Sequence, residues 1–394
     1  DRAIALWDEF RKRATAERCD RRYIEFVERC LAGVYWHSGQ MERALSFYEE
    51  VGRRNQAEGR FWDAYELVEA HVQAGLTNKA VALCERLGED LQTRQPKPTE
   101  EQDYLWQIQS QSEACEHTGR HEEAVRLRRE WFERAKAKYG TDWGLANEYM
   151  VVQSLRLAGR LEEATKLGEQ VIARSQARFG RASKYELAEM AAVHLDAGRP
   201  LEAAAIYRQL LTPGAQKGPG FEYNLLWAIE QERREYRKGL AEALLRANQL
   251  AEAATILDRL DAAALLGECS LLQGRYAEAE TTLRHCLQDR EVGFWNADYY
   301  PFHPWGNTLC FDWSTFQVRS LLGEALLRQK KYAEAEPYVV SGYEGLEKRQ
   351  ISIPVPDQRR LLPAAGRRVV ELYEQWGKPE KAAEWRERLP KEKS

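Results

Sequence analysis

Apolar positions return along this chain with the spacing of amphipathic helices, and the helical runs are interrupted by nine copies of one short phrase. The two closest copies read Gly274-Arg-Tyr-Ala-Glu-Ala-Glu280 and Lys330-Lys-Tyr-Ala-Glu-Ala-Glu336. Looser copies begin at Gly39, Gly75, Gly119, Gly159, Gly198, Asn248 and Gly377. A helical pattern runs up to each phrase and another runs away from it. Glycine can end a helix in the left-handed conformation, where its lack of a Cβ removes the steric penalty. Asn248 can do the same, and Lys330 fits less well. The glutamates that follow occupy the first turn of the next helix, at the positive end of its dipole. An alanine stands five residues after each phrase start, and a small residue often stands seven before it: Ala32, Ser112, Ala191, Ala241, Gly267 and Gly323. Small residues on facing helices predict tight antiparallel pairs.

In chain order, residues 1–20 predict an amphipathic cap helix with Ile4, Leu6, Trp7 and Phe10 on one side. Residues 21–211 predict five helical pairs, with a linker at Gln95-Pro-Lys-Pro-Thr99. Residues 212–220 (Thr-Pro-Gly-Ala-Gln-Lys-Gly-Pro-Gly) form the strongest break and read as a long surface loop, or else as a hinge between two halves. Pairs six and seven follow over 221–288, with short helices around Asp258 to Ala263. An insertion spans 289–315, and pairs eight and nine span 316–390. Ile351-Ser-Ile-Pro-Val-Pro356 reads as an extended connector, with the ninth pair starting at Leu361.

The phrase resembles the tetratricopeptide repeat: a small residue in the first helix, Gly at the turn, an apolar or aromatic residue two later (Met41, Leu161, Leu250, Tyr276, Tyr332), then Ala. The steps between phrase starts are 36, 44, 40, 39, 50, 26, 56 and 47 residues. Most exceed the family's usual period of about 34, so the likeness leans to the longer kinesin-light-chain-like variety of roughly 42. The resemblance implies an all-α fold, a right-handed superhelical solenoid of about nine hairpins whose repeats pack on their neighbours. Ser320 to Pro337 and Glu371-Leu-Tyr-Glu-Gln-Trp-Gly-Lys-Pro-Glu-Lys-Ala-Ala383 are similar to repeat tails that follow serine/threonine kinase domains in bacterial, often planctomycete, proteins.

Composition narrows the role. Leu, Ala, Glu and Arg dominate the 394 residues, 30% are charged, and the net charge is −4. That balance lacks the basic footprint expected of a nucleic-acid binder. Seven scattered cysteines read as reduced thiols in a cytoplasmic setting. No apolar run reaches the roughly 18 residues that a membrane helix needs, and the first residues do not read as a signal peptide. The chain starts at Asp1, which reads as a processed or excised piece of something longer.

Two features are candidate binding sites. Six residues before each turn stand Gly33, Glu69, Glu113, Gln153, Ala192, Glu242, Glu268, Glu324 and Glu371. Six of these nine are Glu, and the family likeness implies that this position faces the concave groove. An acidic groove would steer a basic or amine-bearing peptide; alternatively each Glu pairs with Arg or Lys one turn away or in the next repeat. The other candidate is Gly293 to Trp313, with eight aromatics in 21 residues against 10% overall. Trp295, Tyr299, Tyr300, His303 and Trp305 could line a pocket for a peptide or sugar, or could plug the groove or pad a helix pair. Carboxylate-clamp binding of chaperone tails is not expected, since no groove position carries Asn and Lys238 is the one Lys at its position. Cys115-Glu-His-Thr-Gly-Arg-His121 has metal-like spacing, but Cys115 and His121 fall on packing positions, so no metal or cofactor is expected. Phosphate loops, nucleophile elbows and kinase signatures are missing. The reading is a non-catalytic scaffold or adaptor that holds a protein or peptide, with the regulatory tail of a kinase as the alternative. An enzymatic site in the insertion is disfavoured, because no acid–base or nucleophile set accompanies its aromatics.

Overall fold

A computed structural model describes residues 2–37, 40–57, 62–93, 96, 100–142, 147–212, 225–260, 262–292 and 313–390. Among them lie nineteen α-helices and no strand. They group into two compact units. The first comprises the described residues of Asp1–Arg120, Gln288–Thr315 and Lys348–Ile353; the second those of His121–Leu287, Phe316–Glu347 and Pro354–Ser394. The Pro/Gly break after Thr212 and the aromatic insertion up to Asp312 fall outside the described residues.

The first unit is built from α1 (Arg2–Ala16), α2 (Arg21–His37), α3 (Met41–Ala57), α4 (Trp62–Gln73), α5 (Thr77–Thr93) and α6 (Glu101–His117). Each helix packs on the next, and α4 also packs on α6. The cap helix α1 buries Ala14 but leaves Leu6 and Phe10 exposed. In the second unit α7 (His121–Tyr139) precedes the hairpins α8–α9 (Tyr149–Leu157, Leu161–Phe179), α10–α11 (Lys184–Asp196, Pro200–Leu211) and α12–α13 (Leu225–Arg246, Leu250–Leu257). The next helices are α14 (Ala263–Leu272) and α15 (Tyr276–Val292), then α16 (Trp313–Arg328) and α17 (Tyr332–Lys348), whose ends reach into the first unit's segments. The hairpin α18–α19 (Val355–Gln375, Pro379–Arg388) closes the chain. First helices stack on first helices, α8 on α10, α10 on α12 and α12 on α14. These are tetratricopeptide-like hairpins, and the short step at Asn248 arises from the eight-residue α13 and ten-residue α14.

One residue type sets the hairpin crossing. Ala44, Ala80, Ala124, Ala164, Ala203, Ala253, Ala279, Ala335 and Ala382, the alanines of all nine phrases, each have 0% exposure. On the facing helices Ala32, Ala191 and Ala241 are also at 0%, and a Cβ added to Gly267 would stand 2.5 Å from Leu283. Around these contacts Leu244, Leu257, Leu283 and Leu322 are fully buried, each contributing about 1.5–3 kcal/mol by leaving water.

The turns are equally regular. Gly75, Gly119, Gly159, Gly198, Gly274, Gly377, Asn248 and Lys330 all take φ between 58° and 75°. The next residue's N–H donates to the carbonyl five residues back, as in Leu76 to His71, Arg160 to Leu155 and Lys378 to Tyr373, at 2.8–2.9 Å. This bond satisfies a carbonyl that the helix end would leave unpaired.

The expected extended connector is different. Gln350–Ser352 is a 3-10 turn, Ile353 is fully buried, and α18 already begins at Val355. Proline in the first turn of a helix forfeits an N–H that has no partner there, so Pro356 starts a helix as readily as it stops one. Nor do repeats pack only on their sequence neighbours. In the first unit Arg349 donates to the Gln73 carbonyl at 3.1 Å, Thr77 donates to the Lys348 carbonyl at 3.3 Å, and Ile351 covers Gly119. In the second, Val355 covers Gly159, and Asp357 lies 3.9 Å from Arg246. The segment from Lys348 to Asp357 thus lies against turns far earlier in the chain.

Two substitutions separate backbone strain from this contact. Gly159 and Gly198 share φ +72°, but an added Cβ at Gly159 would meet Val355 at 2.8 Å while none lies within 4 Å at Gly198. In chemical denaturation Gly198→Ala is expected to cost about 1–2 kcal/mol, and Gly159→Ala at least about 1 kcal/mol more. Lys330→Gly relieves left-handed strain of about 1–2 kcal/mol against a chain-entropy cost of about 0.5–1 kcal/mol, and is expected to raise the unfolding midpoint.

Candidate binding site

The six glutamates of the predicted ladder all stand on first helices, and a local rule decides what each does. The residue four positions on lies one helical turn away on the same face. Where it is Arg or Gln, it donates back. Gln73 bonds Glu69 at 3.1 Å, Arg246 bonds Glu242 at 2.5 Å, Arg328 bonds Glu324 at 3.4 Å, and Gln375 bonds Glu371 at 2.8 Å. Glu113 accepts from Gln109 at 3.2 Å instead. Between hairpins, Arg328 also holds Glu371, and Arg368 holds Glu324. Much of the ladder's negative charge in the second unit is therefore matched by guanidiniums.

Glu268 breaks the rule, because the residue four positions on is Leu272. No described residue donates a hydrogen bond to its carboxylate. It faces a cavity of about 220 Å³ enclosed by first helices of the second unit: α12, α14, α16 and α18. Leu245, Leu272, Leu321, Leu361 and Ala364 form the apolar wall; Glu242, Arg246, Gln317, Arg360 and Arg368 form the polar one. Each guanidinium here already holds a carboxylate. Arg246 has Glu242, Arg360 has Asp357 at 2.9 Å, and Arg368 has Glu324. Burial pushes the Glu268 carboxyl above the usual range; Arg360, Arg368 and Arg246 oppose that shift, and Glu242 reinforces it. Leu272 is 54% exposed, an aliphatic side chain open to solvent beside a carboxylate without a partner.

A buried charge network fixes one wall. Arg156 bonds Glu189 at 2.6 Å and Asp196 at 3.0 Å. Arg246 reaches the same Asp196 at 3.5 Å and the Leu195 carbonyl at 3.3 Å. The carboxylates thereby hold Arg246 against α10, so its stem lines the cavity in one orientation. These arginines were absent from the sequence-derived site. Arg246 had a signal in its spacing four after Glu242, whereas Arg360 and Arg368 reach the cavity only through the packing of α18.

Other candidates fall elsewhere. Trp295, Tyr299, Tyr300, His303 and Trp305 lie outside the described residues. Lys238 pairs with Glu235 at 2.9 Å. Cys115 is fully buried, its sulfur 3.7 Å from that of Cys84, with the Gln111 amide beside both. Burial pushes the Cys30 thiol up to about 11 and raises that of Cys269, so neither is a ready nucleophile at neutral pH. Among the described residues no His, Cys, Asp and Glu group could hold a metal ion, and no helix is long and apolar enough to cross a membrane.

No family model matches the chain, and no curated protein matches it. Among solved structures it is similar to a Rap protein complexed with competence and sporulation factor, at 13% identity over 83% of this chain and 95% of that one, with a TM-score of 0.41. It is also similar to the APC/C hetero-tetramer Cut9-Hcn1 (15% identity, 98% and 95% covered, TM-score 0.25). A circular tandem repeat protein with novel repeat topology gives 14% identity, 98% and 90% coverage and a TM-score of 0.20.

The environment of Glu268 has a measurable consequence. A carboxyl whose pKa is raised by folding binds more protons folded than unfolded, so its penalty grows as pH rises through the folded value. Glu268→Gln removes the ionisable group and is expected to raise the melting temperature at pH 7. That advantage should vanish as pH falls below about 4.3, the ordinary Glu value. A melting temperature at pH 7 that is unchanged or lower in the variant would contradict this account.

Proposed function

We propose that this chain is a non-catalytic interaction scaffold that holds a peptide or an extended partner segment against the first-helix face of its hairpins. The observation that carries this reading is the cavity at Glu268, where the charge pairing seen at Glu242, Glu324 and Glu371 is interrupted. Elsewhere on the face of the second unit the glutamates are tied to arginines. Selectivity therefore comes from this interruption and its aliphatic wall rather than from a general attraction for basic sequences. Such an arrangement matches the usual anatomy of a recognition site, mostly apolar with a few polar groups to orient the ligand. The resemblance of Ser320 to Pro337 and Glu371 to Ala383 to kinase-tail repeats, read from sequence alone, motivates a second reading, a regulatory module attached to a serine/threonine kinase. That reading requires the natural reading frame to continue into a kinase domain.

The experiment is selection of a displayed random-peptide library on the immobilised 394-residue chain. Enriched sequences are expected, and Ala364→Arg, which places a long charged side chain in the cavity, should abolish their capture. Enrichment that survives Ala364→Arg, or no enrichment at all, would remove the first-helix face as the binding site.

A further inference from the structure

Two departures from the repeat rule coincide on α14. Glu268 keeps the ladder carboxylate but lacks the donor that Arg246, Arg328 or Gln73 supplies elsewhere. Leu272 occupies the donor's place and is 54% exposed where it lines the cavity. The neighbouring guanidiniums act on Glu268 through space but make no hydrogen bond to it; the bonds they make here run to Glu242, Asp357 and Glu324. The Glu268 carboxylate therefore lacks a hydrogen-bond donor, and next to it the cavity offers apolar surface. A volume of about 220 Å³ at about 30 Å³ per water-sized group holds roughly seven non-hydrogen atoms. That is room for an ammonium nitrogen, the carbon bearing it and a four-carbon side chain.

We propose that the cavity takes a primary ammonium group on an aliphatic body, the N-terminal residue of a peptide with an aliphatic first side chain. The ammonium donates to Glu268, and the side chain lies among Leu272, Leu245, Leu321 and Leu361. This deepens the scaffold reading and rests on it, naming which end of the peptide is recognised. An ammonium supplies three donors and no acceptor, so it can bond Glu268 without competing for the carboxylates already held by arginine. A guanidinium is a poorer fit, being a wider planar fork in a cavity that Arg246, Arg360 and Arg368 already line. An internal peptide segment offers only amide donors, and charge-assisted bonds to a carboxylate are roughly twice as strong.

Isothermal titration of the full chain with L-leucinamide, N-acetyl-L-leucinamide and the tripeptide Leu-Gly-Gly tests this. Leucinamide and the tripeptide should bind, the tripeptide at least as tightly, and N-acetylation should weaken binding by at least about tenfold. Glu268→Gln should cause a similar loss while circular dichroism shows an unchanged helix content. Leu272→Ala, a change at an exposed position that the fold tolerates, should weaken both amines yet keep the preference over the acetylated compound. Equal binding of the acetylated compound, undiminished binding to Glu268→Gln, or no binding up to about 10 mM would overturn the proposal. A tripeptide weaker than leucinamide would overturn the peptide end as the source. Enrichment in library selection with no response to these amines would sink this inference alone, whereas failure of both would remove the face itself.

Discussion

The structure depends on how closely two helical backbones can approach when nothing larger than a methyl group stands between them. Nine alanines at one repeat position have no exposed surface, and within each unit the residues facing them are alanine, glycine or valine. Interiors packed to crystalline density do not absorb extra methylenes cheaply, so this spacing is fixed. Once it is fixed, the left-handed residue at the turn and the bond back to the fifth carbonyl have one geometry to satisfy. The hairpins vary in helix length, from eight residues to twenty-two, while the alanine of every phrase stays fully buried.

That constancy gives the first-helix face a periodic electrostatic pattern and makes a departure from it legible. A glutamate six residues before the turn and a donor two before it lie one helical turn apart, and long-range partners such as Arg368 and Arg328 add to the pairing. Where the donor becomes Leu272, burial penalises a carboxylate that nearby guanidiniums offset only through space, with no hydrogen bond. Buried polar groups are ordinarily satisfied, and one that is not, at the wall of a cavity, is a place where stability is given up for something else.

The repeats, the turn residues including Asn248 and Lys330, and the alanine contacts could be read from the sequence because each is a local demand of backbone geometry. The short helices beside Asp258 followed from spacing alone. The positions of the six glutamates on first helices were legible too, and so was the possibility of pairing one turn away. What was not legible is tertiary. Nothing local indicates that Val355 lies on Gly159 or that Arg360 shares a cavity with Glu268, since those residues are separated by many repeats. The prolines around 354–356 pointed to an extended connector, because proline at a helix start and proline in a strap look alike in sequence; the surroundings of buried Ile353 decide between them.

The segment that follows α17 also sets a timetable. In the first unit Lys348 rests on Gly75, Arg349 is bonded to Gln73 and Ile351 covers Gly119. During synthesis the turns at Gly75 and Gly119 emerge long before the residues that cover them. At about 5–20 residues per second, the ribosome makes those early hairpins wait roughly ten to fifty seconds for their last contacts. A nascent chain stopped short of Ile353 carries a first unit that is built but not closed. Vectorial assembly from the N-terminus, the usual advantage of a repeat array, therefore gives way here to a final step in which late residues seal early ones.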